Sequence, residues 1–165
     1  MQLRMKQRVF AWGDTYDIYD EKGEAKYFVK GKFFSLGKQI HVFNKDNGEE
    51  VGSIHQKLLT FLPKYEIVIK GHTVGIISKA FTFWKPKYQV DFRDWEVDGD
   101  FWGWNYVARR GAYEVLRVSR ELAWSDCYVI NYTNPADEIP ALLLVLAIDA
   151  ANSEDNSVNV SVNFN

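Results

Sequence analysis

Short runs in which apolar and polar residues alternate recur along the first 130 residues: Tyr16-Asp17-Ile18-Tyr19, Ile40-His41-Val42-Phe43, Tyr65-Glu66-Ile67-Val68-Ile69 and Tyr88-Gln89-Val90. A period of two in β-branched and aromatic residues is the signature of strands with one buried face. Between the runs lie Asp20-Glu21-Lys22-Gly23, Asn44-Lys45-Asp46-Asn47-Gly48 and Lys70-Gly71-His72. Each supplies a Gly or Asn able to take the positive φ of a tight hairpin. No segment before residue 134 sustains a helical period.

The strands belong to a repeat. Ala11-Trp12-Gly13-Asp14-Thr15-Tyr16-Asp17-Ile18 returns as Ala123-Trp124-Ser125-Asp126-Cys127-Tyr128-Val129-Ile130. A looser frame, a charged residue, an aromatic four positions on and then a tyrosine, is met by Arg8/Trp12/Tyr16, Lys57/Phe61/Tyr65, Lys79/Phe83/Tyr88, Asp98/Trp102/Tyr106 and Arg120/Trp124/Tyr128. Lys30/Phe34 fits until the tyrosine, where Lys38 stands. A repeat of about 22 residues is too short for a βαβ unit but suits a strand pair with its connections, so six units predict about twelve strands.

After Thr133-Asn134-Pro135 the pattern changes, and residues 139–148 are unbroken apolar positions. Prolines in the first turn, with Asp137 and Glu138 at the positive end of the dipole, predict a helix over 136–151. It has no polar face, so it must be buried all round. A bilayer span needs about 20 apolar residues, which argues for a core helix and against a transmembrane segment. Its length of roughly 22 Å is close to the roughly 18 Å height of a barrel of tilted seven-residue strands. Barrels of about eight strands fill themselves with side chains, whereas larger ones need a plug. The expectation is mainly β: a twelve-stranded antiparallel closed barrel over 1–151 around a central C-terminal hydrophobic helix. Residues 152–165, where Val158, Val160, Val162 and Phe164 alternate with Asn and Ser, are expected to be a disordered tail or a loosely held strand.

Trp12-Gly13-Asp14 and Trp124-Ser125-Asp126, the stretch Phe81-Thr82-Phe83-Trp84-Lys85-Pro86-Lys87-Tyr88, the segment Val97-Asp98-Gly99-Asp100-Phe101-Trp102 and the Leu-rich helix together resemble the LURP-one-related family. That family belongs to the tubby C-terminal-like superfamily, which also holds phospholipid scramblases. The resemblance covers roughly residues 3–151 and implies a twelve-stranded barrel around a central helix. It leaves activity open, with lipid binding as a property of relatives. Neither a tubby-type Lys/Arg pair nor a scramblase-like calcium loop aligns by motif.

Charge is uneven along the chain. Residues 1–90 hold 15 Lys/Arg against 9 Asp/Glu, and residues 91–165 hold 5 against 13. In a closed barrel the two halves sit side by side and partly neutralise each other, leaving at most one basic side for an anionic partner. The single cysteine, Cys127, and an N-terminus without an apolar signal run point to a reducing, cytoplasmic compartment.

Catalytic chemistry is hard to find. No glycine-rich loop enters a helix, His41, His55 and His72 lack a metal-site spacing, and Cys127 takes the slot that Thr15 holds in the first repeat. Asp98/Asp100 and Asp94/Glu96 read as solvated strand positions. Neither a catalytic residue, a metal nor a cofactor is expected. Aromatic content of 16% raises single-stranded nucleic-acid binding, but the fixed slots of the aromatics suit wall packing and a pI near 5.9 is not that of a nucleic-acid binder. The most suggestive strings are Phe61-Leu62-Pro63-Lys64-Tyr65 and Phe83-Trp84-Lys85-Pro86-Lys87-Tyr88, which put lysine beside a proline-stiffened aromatic corner. Lys64, Lys85 and Lys87 are therefore the candidate anionic-ligand residues. The leading reading is a non-enzymatic binding or scaffold protein for anionic phospholipid or a protein partner. The alternative is an enzyme with a site in the barrel mouth, revealed by converging perturbed titratable groups.

Overall fold

A computed structural model describes residues 1–6, 15–34, 37–80, 87–121 and 127–161. Its strands are β1 (Gln2–Lys6), β2 (Thr15–Asp20), β3 (Ala25–Phe34), β4 (Gly37–Asn44), β5 (Glu50–Gln56), β6 (Lys64–Ile69), β7 (His72–Ala80), β8 (Lys87–Asp91), β9 (Glu96–Asp100), β10 (Asn105–Arg110), β11 (Tyr113–Glu121) and β12 (Cys127–Tyr132). A 3-10 turn, Pro135–Asp137, leads into α1 (Glu138–Ser161). All twelve strands form one antiparallel sheet in the order β8-β7-β6-β5-β4-β3-β2-β1-β12-β11-β10-β9. β1 sits between the two arms, with Leu3 opposite Asp20 on one side and Ile130 on the other.

The alternation in the sequence becomes inside and outside. Leu3, Ile18, Val29, Ile40, Ile54, Ile67, Ile77 and Val118 point inward at 1% exposure or less, and every residue of α1 from Ala141 to Ile148 is fully buried. Burying a Leu or Ile side chain stabilises the fold by about 1.5–3 kcal/mol, so the helix is the centre of the core. It packs tightly on β5, where a Cβ on Gly52 would meet Leu143 Cδ1 at 2.7 Å.

The start of the helix is tied to the barrel. Asn134 caps the 3-10 turn by accepting from Ala136 N at 2.9 Å. Glu138 accepts hydrogen bonds from the Tyr27 and Tyr132 hydroxyls and pairs with Lys26 Nζ at 2.6 Å. Burial pushes the Glu138 carboxyl up, but Lys26 and the two phenols together outweigh it and hold it below its ordinary value. Asp137, 3% exposed, pairs with Arg93 Nη2 at 2.7 Å.

The fold is the expected twelve-stranded barrel with a C-terminal helix, nearly closed: β8 and β9, the two ends of the strand order, lie side by side with no ladder between them among the described residues. Their four-residue connection, 92–95, puts Arg93 and Asp94 at φ 56° and 55°. Such left-handed non-glycine residues are costly, and the Arg93–Asp137 bond helps to hold the turn there.

The helix is longer than 136–151. It begins at Glu138 and runs to Ser161, so the segment expected as disorder or a loose strand is helical as far as that residue. Once α1 is nucleated inside the barrel, each further residue adds a hydrogen bond, and Asn or Ser costs only a few tenths of a kcal/mol against that. A period-two pattern alone does not make a strand. Asn152, assigned by sequence to the tail, bridges the open seam instead: its Nδ2 donates to Phe101 O at 3.1 Å and its Oδ1 accepts from the Tyr88 hydroxyl. The Tyr88 and Phe101 rings meet edge to face at 4.9 Å above it. Asn152→Ala removes both bonds and should lower stability by about 1–3 kcal/mol. A urea titration measures this, and an unchanged midpoint would show that the seam holds without the bridge.

Candidate functional site

In an up-and-down barrel the connections fall alternately at two ends. The repeat frame sorts itself between the wall and one of these ends. Its tyrosine is the second residue of every even-numbered strand except β4: Tyr16, Tyr65, Tyr88, Tyr106 and Tyr128, with Lys38 in the β4 slot. Tyr65, Tyr88, Tyr106 and Tyr128 are buried, and Tyr16 packs against the core. They ring the inside of the mouth through which α1 leaves.

The aromatic of the frame behaves differently. The expectation that it packs the wall fails where it can be checked: Phe61 is 94% exposed and Trp102 62% exposed, both in corners at this mouth. Trp12, Phe83 and Trp124 lie outside the described residues. The β5–β6 corner, 57–63, also exposes Leu58 and leaves Leu59 wholly in solvent at φ 61°. Its base is pinned, by Lys57 N to Lys64 O at 2.8 Å, Lys79 N to Pro63 O at 2.9 Å and the Lys57–Glu66 ion pair at 2.6 Å. Gly37, at φ 104°, leaves room for Leu58 against the neighbouring turn, where a Cβ would come within 3.1 Å of Leu58 Cδ2. A braced loop thus presents three large apolar side chains to water, one of them on a left-handed backbone. Large exposed apolar groups held in this way mark interaction surfaces.

Charge is divided between the ends. Lys6, Lys38, Lys57, Lys64, Lys79 and Lys87 stand at or beside strand termini of the exposed-aromatic end. The opposite corners carry Asp20, Glu21, Glu24, Asp46, Glu49 and Glu50, with Lys22, Lys45 and Lys70 among them. The basic half of the sequence thus sets six lysines at the exposed-aromatic end and Lys22, Lys26, Lys45 and Lys70 at the other, while Asp98 and Asp100 on β9 interrupt the basic arc.

Of the predicted ligand residues, Lys64 opens β6 half-buried and Lys87 opens β8 exposed, at the same end. Each precedes an inward tyrosine, so both stand on the outer face. Lys85 lies outside the described residues. The inward positions at this end belong to residues not singled out from the sequence. Lys38 alternates with buried Ile40 and Val42, Lys79 is opposite Tyr88, and Arg120 is opposite Tyr128. The signal that finds them is the frame itself, whose charged slot contains Lys79 and Arg120.

Deeper in the mouth is Asp149, on α1 one turn before Asn152. Burial pushes its carboxyl up to about 7. The Tyr16 and Tyr106 hydroxyls are both pushed up, by burial first and then by the Asp149 charge. Elsewhere, His41 and His55 are closer than their spacing suggests, with rings 5.8 Å apart across β4 and β5. Burial, then His41, holds His55 below the ordinary imidazole range. Among the described residues no three metal-ligating side chains come together, and no helix is long and apolar enough to cross a membrane.

Comparison with known proteins agrees with this architecture. A solved Arabidopsis thaliana protein shares the fold at a TM-score of 0.59 and 19% identity, over 90% of this chain and 91% of its own. The Bacillus subtilis (strain 168) protein "Uncharacterized protein YxjI" is 36% identical over 161 residues, which is 96% of this chain and 99% of that one. The family model described as LURP-one-related matches residues 1–149, and the chain belongs to that family.

Proposed function

We propose that this is a non-enzymatic binding protein that docks on anionic phospholipid surfaces through the end bearing Leu59, Phe61 and Trp102. The carrying observation is the braced β5–β6 corner, with Leu59 and Phe61 fully exposed amid strand-end lysines. Lysine near an anionic surface contributes about 1 kcal/mol each, and apolar side chains entering the interface add the rest. The enzyme reading has less support: the strongly perturbed carboxylate described in the mouth, Asp149, acts on the Tyr16 and Tyr106 phenols, and among the described residues no three metal-ligating side chains come together.

Co-sedimentation with phosphatidylcholine vesicles carrying graded phosphatidylserine tests this. Binding should rise with the anionic fraction and fall with salt. The double variant Leu59→Ser/Phe61→Ser should lose about tenfold or more in partitioning while melting like the parent, since neither side chain is buried. Absence of binding to the most anionic vesicles at low salt would remove the lipid reading and leave a protein partner for the same surface.

A further inference from the structure

The outer wall between β4 and β5 carries a cluster that the docking surface does not use. In the register of this pair Gln39 stands opposite His55 and His41 opposite Ser53. The four share the face turned away from α1, because Ile40 and Ile54 between them are buried inward. Each imidazole reaches across the square they form. His41 Nε2 lies 3.3 Å from Gln39 Oε1, in the row of His55, and His55 Nε2 lies 3.0 Å from Ser53 Oγ, in the row of His41. Both Nε2 atoms thus turn toward the other's row, and the ring centres are 5.8 Å apart. A metal ion about 2.1 Å from two imidazole nitrogens holds their ring centres about 5–6 Å apart. Hydrogen bonding points the same way. Glu50 Oε2 lies 3.1 Å from His41 Nδ1, so oxygens face both nitrogens of one ring. A neutral imidazole has one N–H to give, and if Glu50 takes it, the Nε2 lone pair meets the Gln39 oxygen unless a cation stands between them. A carboxylate on the far nitrogen is also the usual outer partner of a metal-bound histidine. Ser53 is 1% exposed while the His41 side chain keeps 13%, so the floor of the square is closed and its imidazoles reach solvent.

We propose that His41 and His55 form a binding site for a divalent transition-metal ion, zinc foremost, on the outer wall, with Glu50 orienting His41. Imidazole nitrogens suit zinc, nickel and copper, whereas magnesium and calcium take oxygen donors. No third His, Cys, Asp or Glu joins the pair among the described residues, so Gln39 Oε1, the Ser53 hydroxyl and water fill the remaining positions. The site is therefore an open one that exchanges its metal, unlike a closed structural centre. Glu66, opposite His55, is already held by Lys57, which leaves Glu50 to balance the charge of the ion. The site lies outside the barrel mouth and does not depend on the docking reading.

Titration of the full chain with zinc chloride tests this, in a buffer that does not bind metal and at about pH 7.5, where neutral imidazole predominates. The chain has three histidines, and their imidazole proton signals report each one separately. Those of His41 and His55 should shift together and saturate at one zinc per chain, while His72, exposed at the start of β7, stays in place. Calorimetry should give the same stoichiometry. Glu50→Gln should weaken zinc by about tenfold or more, and His41→Gln or His55→Gln, which remove a ligand outright, by more than that. His72→Gln should change nothing. Zinc should also raise the parent Tm by mass action and leave that of His41→Gln/His55→Gln where it was. The parent titration reads the site even where a variant folds poorly. If His41 and His55 do not shift under a large excess of zinc, or if all three histidines shift alike, the proposal is overturned: Gln39 then turns its amide to donate to His41, and the cluster is complete in itself.

Discussion

Leu144→Asp should leave no folded domain. Leu144 lies mid-helix at 0% exposure, surrounded by the twelve-stranded wall, with no described cation near enough to pair with an introduced carboxylate. An unpaired charge there costs several kcal/mol, and the lost leucine contacts add about 2–5 more. A domain of this size has about 5–15 kcal/mol in total. Circular dichroism and a thermal melt would read the loss of the cooperative transition, while Leu144→Met should cost under about 1.5 kcal/mol. A mutant that melts like the parent would show that the helix does not organise the barrel.

The second large effect is on the pH profile of stability. Native Asp149 keeps its proton up to about pH 7, whereas an aspartate in the unfolded chain ionises near 3.9. Between those values the native state binds a proton that the unfolded state has released, so stability falls as pH rises from about 4 to about 7 and is level above. A gap of about three units corresponds to about 4 kcal/mol. Glu138 acts with the opposite sign. Its folded value lies below the ordinary one, so its contribution is present above the unfolded value and is lost as pH falls through the folded one. Denaturant midpoints should therefore be higher at pH 5 than at pH 8, and Asp149→Asn should remove that difference and melt higher than the parent at pH 8. A parent profile that is level from pH 5 to 8 would show that Asp149 is ionised in the native barrel.

The architecture was legible because it is written in periodicities. Alternation about Ile18, Ile40, Ile67 and Ile77 decides which face of each strand is buried, and ten apolar positions in succession leave a helix nowhere to go but inside. The frame was legible as a repeat but not as a division of labour. Its tyrosines and its other aromatics look alike in composition, yet Tyr65 is buried and Phe61 exposed, because one lies in a strand and the other in a corner. Lys64 and Lys87 lie at the exposed-aromatic end but one residue away from the inward positions, since neighbouring strand residues face opposite ways. Asn152 and Asp149 gave no local signal. Their meaning depends on Tyr88, Phe101 and Tyr106, which are distant in sequence and adjacent only after the barrel forms. The extension of α1 to Ser161 was missed for a related reason: Val158 and Val160 have the spacing of a strand, and only the helix already running through the barrel decides otherwise.

The threaded helix also sets an order of assembly. Every strand precedes α1 in the chain, so during synthesis all twelve are made before the segment their inner faces are built to enclose. A closed wall would then have to reopen to admit it. The β8–β9 seam, which lacks a ladder among the described residues and is bridged by Asn152 of the helix itself, offers a way out of that difficulty: the sheet can wrap as an open sleeve and take in the helix sideways. Until then Leu3, Ile54, Ile77 and the other inward residues face an unfilled interior. Slow, long-range closure with exposed apolar strands is the situation in which nascent chains aggregate. The most hazardous moment for this barrel therefore falls just before α1 emerges.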